Sequence, residues 1–483
     1  MPAPDDPPGR PDLHDLTALD LGALVAAGGV SPVELVEHFL GRADRDAVGA
    51  FVTLTPDRAL DAARALGARP ADAGPLWGVP TAVKDLHPTA GVRTAYGSPV
   101  WADHVPTESD AVVHALEAGG LVSLGKTATP ELGSPCYTEP EGHPPSVTPY
   151  DPARMAGGSS GGAAAAVAAG LLPLAPGSDG GGSIRIPASC CALVGLKPSR
   201  GRVSGAPAYG DPVGLATPGP IARTVRDAAA LLDVLAGRLP GDPSWAPPPS
   251  GRFLDACDRE PRRLRVARFA EPVITDTVVD PACLAAWEDV SARLAALGHD
   301  VVDVPVPLPR AAVADFETCW AVLTALPPVP AGQEHLLRPL TRWLRARGEA
   351  VSGPDFGRAV GAVRRHAAVA LTALAAYDVV LTPTLASPPL PVGAIRDDAD
   401  PAADFAAQKA FTPFTSSWNV TGSPAVSLPW GWTGGARGAG LPVGVMLAGR
   451  PAEEELLLGV AAQLEADAAT RGPAWGEVHP PGW

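Results

Sequence analysis

The chain has 483 residues, 46% of them hydrophobic, and a formal net charge of −15. Length and composition suffice for a large buried core, while the acidic balance argues against a groove for nucleic-acid phosphates. The six cysteines, Cys136, Cys190, Cys191, Cys257, Cys283 and Cys319, include no CxxC pair and no Cys/His cluster at zinc spacing, so free thiols in a reducing cytoplasm and no bound metal are expected.

The first twelve residues, MPAPDDPPGRPD, are acidic and proline-rich. They lack the basic start and apolar core of a signal peptide and read as a disordered tail ahead of a domain over 13–483. SPVELVEHFLGRADR (31–45) predicts a helix, with Ser31 as cap, Pro32 in the first turn and Glu34 completing a capping box. Residues 108–119 predict a second helix and LVSLG (121–125) a buried strand. The run GGSSGGAAAAVAAG (157–170) predicts a helix with a glycine-rich start, and 224–237 another, closed by Gly237. RLPGDPSWAPPPSG (238–251) reads as a loop bordering an inserted helical region. Beyond it come a strand (264–269), helices (281–297, 309–324, 356–376), strands (378–383, 425–429, 442–447) and a last helix (452–468). No apolar run has the length of a membrane span. Strands alternate with helices on both sides of the loop, which predicts one large α/β layered domain.

Ser159 and Ser160 both match the nucleophile-elbow pattern G-x-S-x-G. An elbow needs a buried strand directly before the serine, and PSVTPYDPARMA offers only prolines and polar residues. No GK[ST] follows, so a phosphate loop fails too, leaving a loop of no chemical role as the alternative. The next cluster, GSDGGGSIRIPAS (177–189), sets Gly180, Gly181 and Gly182 before Ser183. Such a run can turn successive N–H groups into one cavity, as an oxyanion hole requires; a tight structural turn is the plainer reading.

A serine nucleophile needs a base, and none of the ten histidines stands in a recognisable active-site setting. Among 37 Lys and Arg residues only Lys84, Lys126, Lys197 and Lys409 are lysines. Lysine, unlike arginine, can be neutral near pH 7 when buried. Lys84 ends the apolar run of GVPTAVKDL, where burial would favour the neutral amine and Ser159 could relay its proton; a strand-end lysine paired with Asp85 is the alternative. SLGK (123–126) matches S-x-x-K, but it closes a strand and lacks the S-D-N and K-T-G partners.

GGSSGG (157–162), GSDGGGSIRIPAS (177–189) and GLKPSRGRV (195–203) together resemble the amidase signature family. GVPTAVKDL (78–86), GKTATPELG (125–133), GPIARTVRDAAALLDVLAG (219–237), FTSSWNVTGSPAVSLPWGW (414–432) and LPVGVMLAGRP (441–451) follow in family order. The resemblance implies an α/β fold with a large mixed β-sheet between helices in a single large domain. Its signature core would span about 75–237 and a variable substrate-side region about 240–400. It implies a Ser–cis-Ser–Lys triad, with Ser183 as the acylated nucleophile, Ser159 as the bridging serine after a cis peptide, and Lys84 as the base. Ser160 would support the relay, Asp179 and Arg185 would form a buried pair bracing the turn with Ser178 as a supporting hydroxyl, and the N–H groups of Gly180, Gly181, Gly182 and Ser183 would build the oxyanion hole. The family often has Thr or Ile where Gly180 stands, and Asn where Thr148 stands. Cys136, Tyr137, Cys319 and Trp320 are candidates for the substrate pocket, with core packing as the alternative. The resemblance implies an amidohydrolase for a small-molecule carboxamide, without cofactor, nucleic acid or membrane partner, and by analogy a homodimer. The A subunit of a glutamine-dependent tRNA amidotransferase is a second reading, disfavoured by SGAPAYGDPVGLATPGPIART after GRV. A catalytically silent scaffold is a third.

Overall fold

Thr17 and Ser31 each close a capping box, Thr17 ahead of α1 (Ala18–Ala26) and Ser31 ahead of α2 (Pro32–Ala43). In the second box Glu34 N–H donates to Ser31 Oγ at 3.2 Å and the Ser31 N–H donates back to the Glu34 carboxylate at 2.8 Å, as its sequence predicts. The computed structural model describes residues 12–208 and 210–480, so all of the expected tail but Asp12 lies outside them.

β1 (Phe51–Leu54) and α3 (Pro56–Ala65) lead to β2 (Pro80–Lys84), α4 (Ala111–Ala118) and β3 (Val122–Thr127). These three strands form a small sheet in the order β1-β3-β2. There follow α5 (Gly161–Ala168), β4 (Leu174–Asp179), α6 (Arg185–Cys190), β5 (Val194–Lys197), β6 (Thr217–Ala222) and α7 (Val225–Leu235). The sequence expectation for α7 differs at its end: Ala236, in extended conformation, closes it, and Gly237 supplies no left-handed cap. After the expected loop come α8 (Phe253–Ala256), β7 (Arg265–Arg268), α9 (Pro281–Ala296), β8 (Asp300–Asp303), α10 (Ala312–Ala325), α11 (Pro339–Glu349) and α12 (Gly353–Leu374). β9 (Val379–Pro383), α13 (Pro401–Phe411), α14 (Ser417–Thr421), β10 (Ala425–Trp432), β11 (Pro442–Gly449) and α15 (Glu454–Ala469) complete the chain.

Eight strands form the large sheet in the order β4-β6-β5-β10-β11-β9-β7-β8. It is antiparallel from β4 to β9 and parallel from β9 to β8, hence mixed. Alternation along β11 shows its two covers. A Cβ on Gly444 would meet Ser189 of α6, and one on Gly449, an odd number of residues on, would meet Leu457 of α15. Helices therefore lie on both faces, and both faces are apolar: Val379, Leu381, Val426, Leu428, Val445 and Leu447 are buried on one, and Val380, Ala425, Met446 and Ala448 on the other. This is a single α/β domain with a large mixed sheet, as the resemblance implied.

For function, one junction matters most. The Thr81 hydroxyl of β2 donates to the Leu174 carbonyl of β4 at 3.2 Å, so the small sheet abuts the edge of the large one. β2 ends on Lys84 and β4 ends on Asp179. The N-termini of α5 and α6 close the space between them.

Candidate active site

Lys84 is the last residue of β2 and is fully buried. In an extended chain successive side chains face opposite ways, so Asp85 points elsewhere and accepts the Ala95 N–H at 3.1 Å. The strand-end pairing of Lys84 with Asp85 is thus not what forms. Among the described residues no carboxylate pairs with the ammonium. Instead three hydroxyls surround Nζ: Ser159 at 2.8 Å, Ser160 at 3.0 Å and Ser178 at 3.0 Å. Burial without a partner charge pulls Lys84 down to about 7, against a smaller upward pull from Asp179.

The serines reach Lys84 because the helix expected over 157–170 starts only at Gly161. Residues 157–160 form its approach, and the Gly158–Ser159 peptide is cis. A Cβ on Gly158 would lie 2.7 Å from the Tyr137 backbone nitrogen, so this approach admits glycine alone. The Ser160 hydroxyl donates to the Ser178 carbonyl at 3.3 Å, and the Ser160 N–H donates to the Ser183 carbonyl at 3.1 Å. The two glycine-rich segments are thereby tied together.

Asp179 and Arg185 set the turn from β4 into α6. Arg185 grips Asp179 bidentately at 2.9 and 2.8 Å, and both side chains are fully buried. Burial pushes the Asp179 carboxyl up, but the Arg185 guanidinium, helped by Lys197 and Asn419, outweighs it and holds the group at about 2. Asp179 accepts the N–H of Gly182 at 2.8 Å and of Ile184 at 3.2 Å. Asn419 donates to the Asp179 carboxylate at 2.8 Å, and the Thr415 hydroxyl donates to the Gly181 carbonyl at 2.7 Å. The Gly182 N–H is therefore spent within the turn, which departs from its expected place in the oxyanion hole. The N–H groups of Gly180, Gly181 and Ser183 donate to no group among the described residues. Gly182 has φ +134°, and a Cβ there would lie 2.4 Å from Thr415 Oγ1, so the turn requires glycine.

A cleft opens over this turn, and Ser183 lines it together with Gly181, whereas Ser159 and Lys84 do not. Its walls are mostly apolar, including Ile186, Phe316, Trp320 and Phe405. Of the four pocket candidates, Cys136 and Trp320 line the cleft. Tyr137 is buried behind it, its hydroxyl donating to Asp404 at 2.6 Å, and Cys319 is packed in the core. The Trp320 ring covers the spot a side chain on Gly180 would take, with atoms 3.4 and 3.5 Å from that Cβ position, and its Nε1 donates to Ser134 Oγ at 3.1 Å. Sequence reading passed over Thr415, Asn419, Phe316, Glu317 and Gln408. Thr415 and Asn419 stand inside the quoted segment 414–432, which was the available signal. The residues of α10 and α13 carry none.

The family model described as Amidase matches residues 34–458. The chain belongs to the amidase signature family. This amidase is 38% identical over 420 residues to the 6-aminohexanoate-cyclic-dimer hydrolase of Paenarthrobacter ureafaciens, with 81% of this chain and 83% of that one covered. It is 34% identical over 474 residues to the acylamidase of Rhodococcus erythropolis, covering 94% and 96%. A solved structure of 6-aminohexanoate cyclic dimer hydrolase matches it with TM-score 0.87 and 32% identity over 96% of this chain and 99% of that one. Like these relatives, the amidase is a hydrolase of C–N bonds. No helix among its described residues is long and apolar enough to cross a membrane.

Proposed function

We propose that this amidase hydrolyses a small-molecule carboxamide through an acyl-enzyme on Ser183, with Ser159 and Lys84 relaying the proton. The observation that carries the assignment is exposure to the cleft: of the three residues only Ser183 lines it. The valence of a neutral lysine supports the relay. Its two N–H bonds match the hydroxyls of Ser160 and Ser178, and its lone pair is left to take the proton of Ser159 at 2.8 Å. Ser160 holds that orientation because its own proton is committed to the Ser178 carbonyl.

In the first half-reaction the Ser183 proton passes to Ser159 as the Ser159 proton passes to Lys84, and Ser183 Oγ bonds the amide carbon. The N–H groups of Gly180, Gly181 and Ser183 are the donors open to the oxyanion, with Gly182 shaping the loop. The relay then runs backward, the C–N bond breaks, and the nitrogen leaves protonated as ammonia or an amine. Water repeats the attack and releases the carboxylic acid. Acyl amides and cyclic amides such as the 6-aminohexanoate cyclic dimer, named for its relatives, are the class to screen. The family analogy adds a homodimer, and six free cysteines fit a cytoplasmic setting.

A fluorophosphonate probe followed by peptide mapping tests the assignment. The expected label is on Ser183 and is lost in Lys84→Ala. A label on Ser159, or labelling indifferent to Lys84, sinks the relay. Ammonia release from glutamine alone, with no turnover of simple amides, would favour the amidotransferase reading instead.

A further inference from the structure

The apolar cleft has one charged feature. Lys409 of α13 and Glu317 of α10 both line it, and Lys409 Nζ donates to the Glu317 carboxylate at 2.6 Å. Both side chains are mostly covered, at 27% and 18% exposure. Arg347 of α11 reaches the other oxygen of the same carboxylate at 3.5 Å. One anion is therefore shared by two cations, Lys409 lining the cleft and Arg347 outside its lining, in a chain whose net charge is −15. The other carboxylates of α10 and α13 are engaged elsewhere. Asp404 is held by Tyr137 and Gln408 and does not line the cleft, and Asp315 faces His366 at 2.9 Å.

Lys409 also has donors to spare. An ammonium carries three N–H bonds. One goes to Glu317, the ring of Phe405 lies 5.4 Å away, and no further acceptor stands within hydrogen-bond distance among the described residues. With apolar walls around it, a partly desolvated cation of this kind attracts an anion more strongly than an exposed one does.

We propose that Lys409 and Glu317 sort amides by charge, favouring an acyl group whose far end carries a carboxylate and rejecting one that carries an ammonium. The inference rests on the amidase reading above. It places the charge on the acyl side because the acyl group stays on Ser183 through both half-reactions, whereas the amine departs after the first. An incoming carboxylate takes the spare donors of Lys409 while Glu317 keeps its bond to Arg347. An incoming ammonium meets the like charge of Lys409, and Glu317 is already paired with Lys409 and Arg347.

The test uses p-nitroanilides with acyl chains of four to eight carbons, each made unsubstituted, with a terminal carboxylate and with a terminal amine. At the best-fitting length kcat/KM for the carboxylate should exceed that of the unsubstituted anilide about tenfold, through KM, and the amine should fall below it by a similar factor. Each variant is read as a ratio within itself. Lys409→Gln should abolish the carboxylate preference, and Glu317→Gln should widen it, opposite changes that a general loss of packing would not produce. A carboxylate no better than the unsubstituted anilide at every length overturns the proposal, as does a preference that survives Lys409→Gln. Turnover of the unsubstituted anilide that disappears in Ser183→Ala upholds the amidase reading whichever way the ratios fall. No Ser183-dependent turnover of any anilide overturns that reading and the charge selection with it.

Discussion

At the scale of single residues, the proposed chemistry of the site depends on one buried amine. Arginine serves almost everywhere as the generic cation of this chain, and three of its four lysines, Lys84, Lys126 and Lys197, are nearly or fully inaccessible. Each is solvated by oxygens rather than by salt-bridging carboxylates: Lys126 by the His87 carbonyl and the hydroxyls of Thr89 and Thr94, Lys197 by the Pro198 carbonyl. Burial lowers all three, Lys84 and Lys197 to about 7 and Lys126 to about 8. A base works only after it has lost its proton. For a neutral amide, kcat/KM should therefore rise as pH increases through about 7 and level off above it. Lys84→Ala should lower the plateau about 10²–10⁴-fold, the usual range for loss of a general base. A profile flat from pH 5 to 9 would exclude Lys84 as the group that titrates.

At the scale of elements, carboxylates at helix starts hold the site's surroundings in place. Asp227, in the first turn of α7, accepts the N–H of Ala18 and of Leu19 at 3.1 and 3.0 Å and so caps α1 across the molecule. Glu465 of α15 accepts the Val225 N–H at 3.2 Å through either carboxylate oxygen. Burial pushes Glu465 up to about 8, with Asp227 adding to the shift. A carboxyl whose folded value is raised stabilises the fold most at low pH and loses that contribution as pH rises toward the folded value. Denaturant unfolding should thus show stability falling between about pH 4.5 and 8. Glu465→Gln should remove that part of the slope and be the more stable protein above pH 8, by on the order of a few kcal/mol. Parallel curves for the two proteins would show that the half-buried Glu465 carboxyl does not control the slope.

At the scale of the whole molecule, the mixed sheet and its two helical layers bury nearly every thiol. Cys136, Cys190, Cys191, Cys283 and Cys319 are buried and Cys257 is half-buried. Burial pushes all six above the ordinary thiol value, Cys319 to about 11 and Cys191, Cys257 and Cys283 to about 12. Adjacent Cys190 and Cys191 sit in different surroundings at the end of α6 and remain unpaired. Titration of the folded protein with an aromatic disulfide reagent should consume at most one thiol in the time that the denatured protein consumes all six. Rapid reaction of several thiols would mean that the layers open readily in solution.

Local signals accounted for much of this molecule. Capping boxes, prolines at first turns and apolar periodicity are short-range effects, so α2, α4, α9, α12 and α15 were legible within a few residues at each end. The triad candidates were legible because GGSSGG and GSDGGGS carry the family resemblance, and their glycines are demanded by close contact, with backbone at Gly158 and with side chains at Gly182. What could not be read locally was which polar groups were already spent. The Gly182 N–H is taken by Asp179, three residues away but folded back, and Asp179 is fixed by Arg185 and by Asn419 from a segment 240 residues distant. The cleft is likewise a product of tertiary packing. Trp320 faces the glycine turn and Cys319 beside it faces the core, since neighbouring residues on a helix point about 100° apart. Lys409 and Glu317 lie 92 residues apart and acquire meaning only when α10 and α13 meet over Ser183. Residue types and spacings define what chemistry a chain can perform, whereas burial and long-range pairing decide which donors, acceptors and charges remain free to perform it.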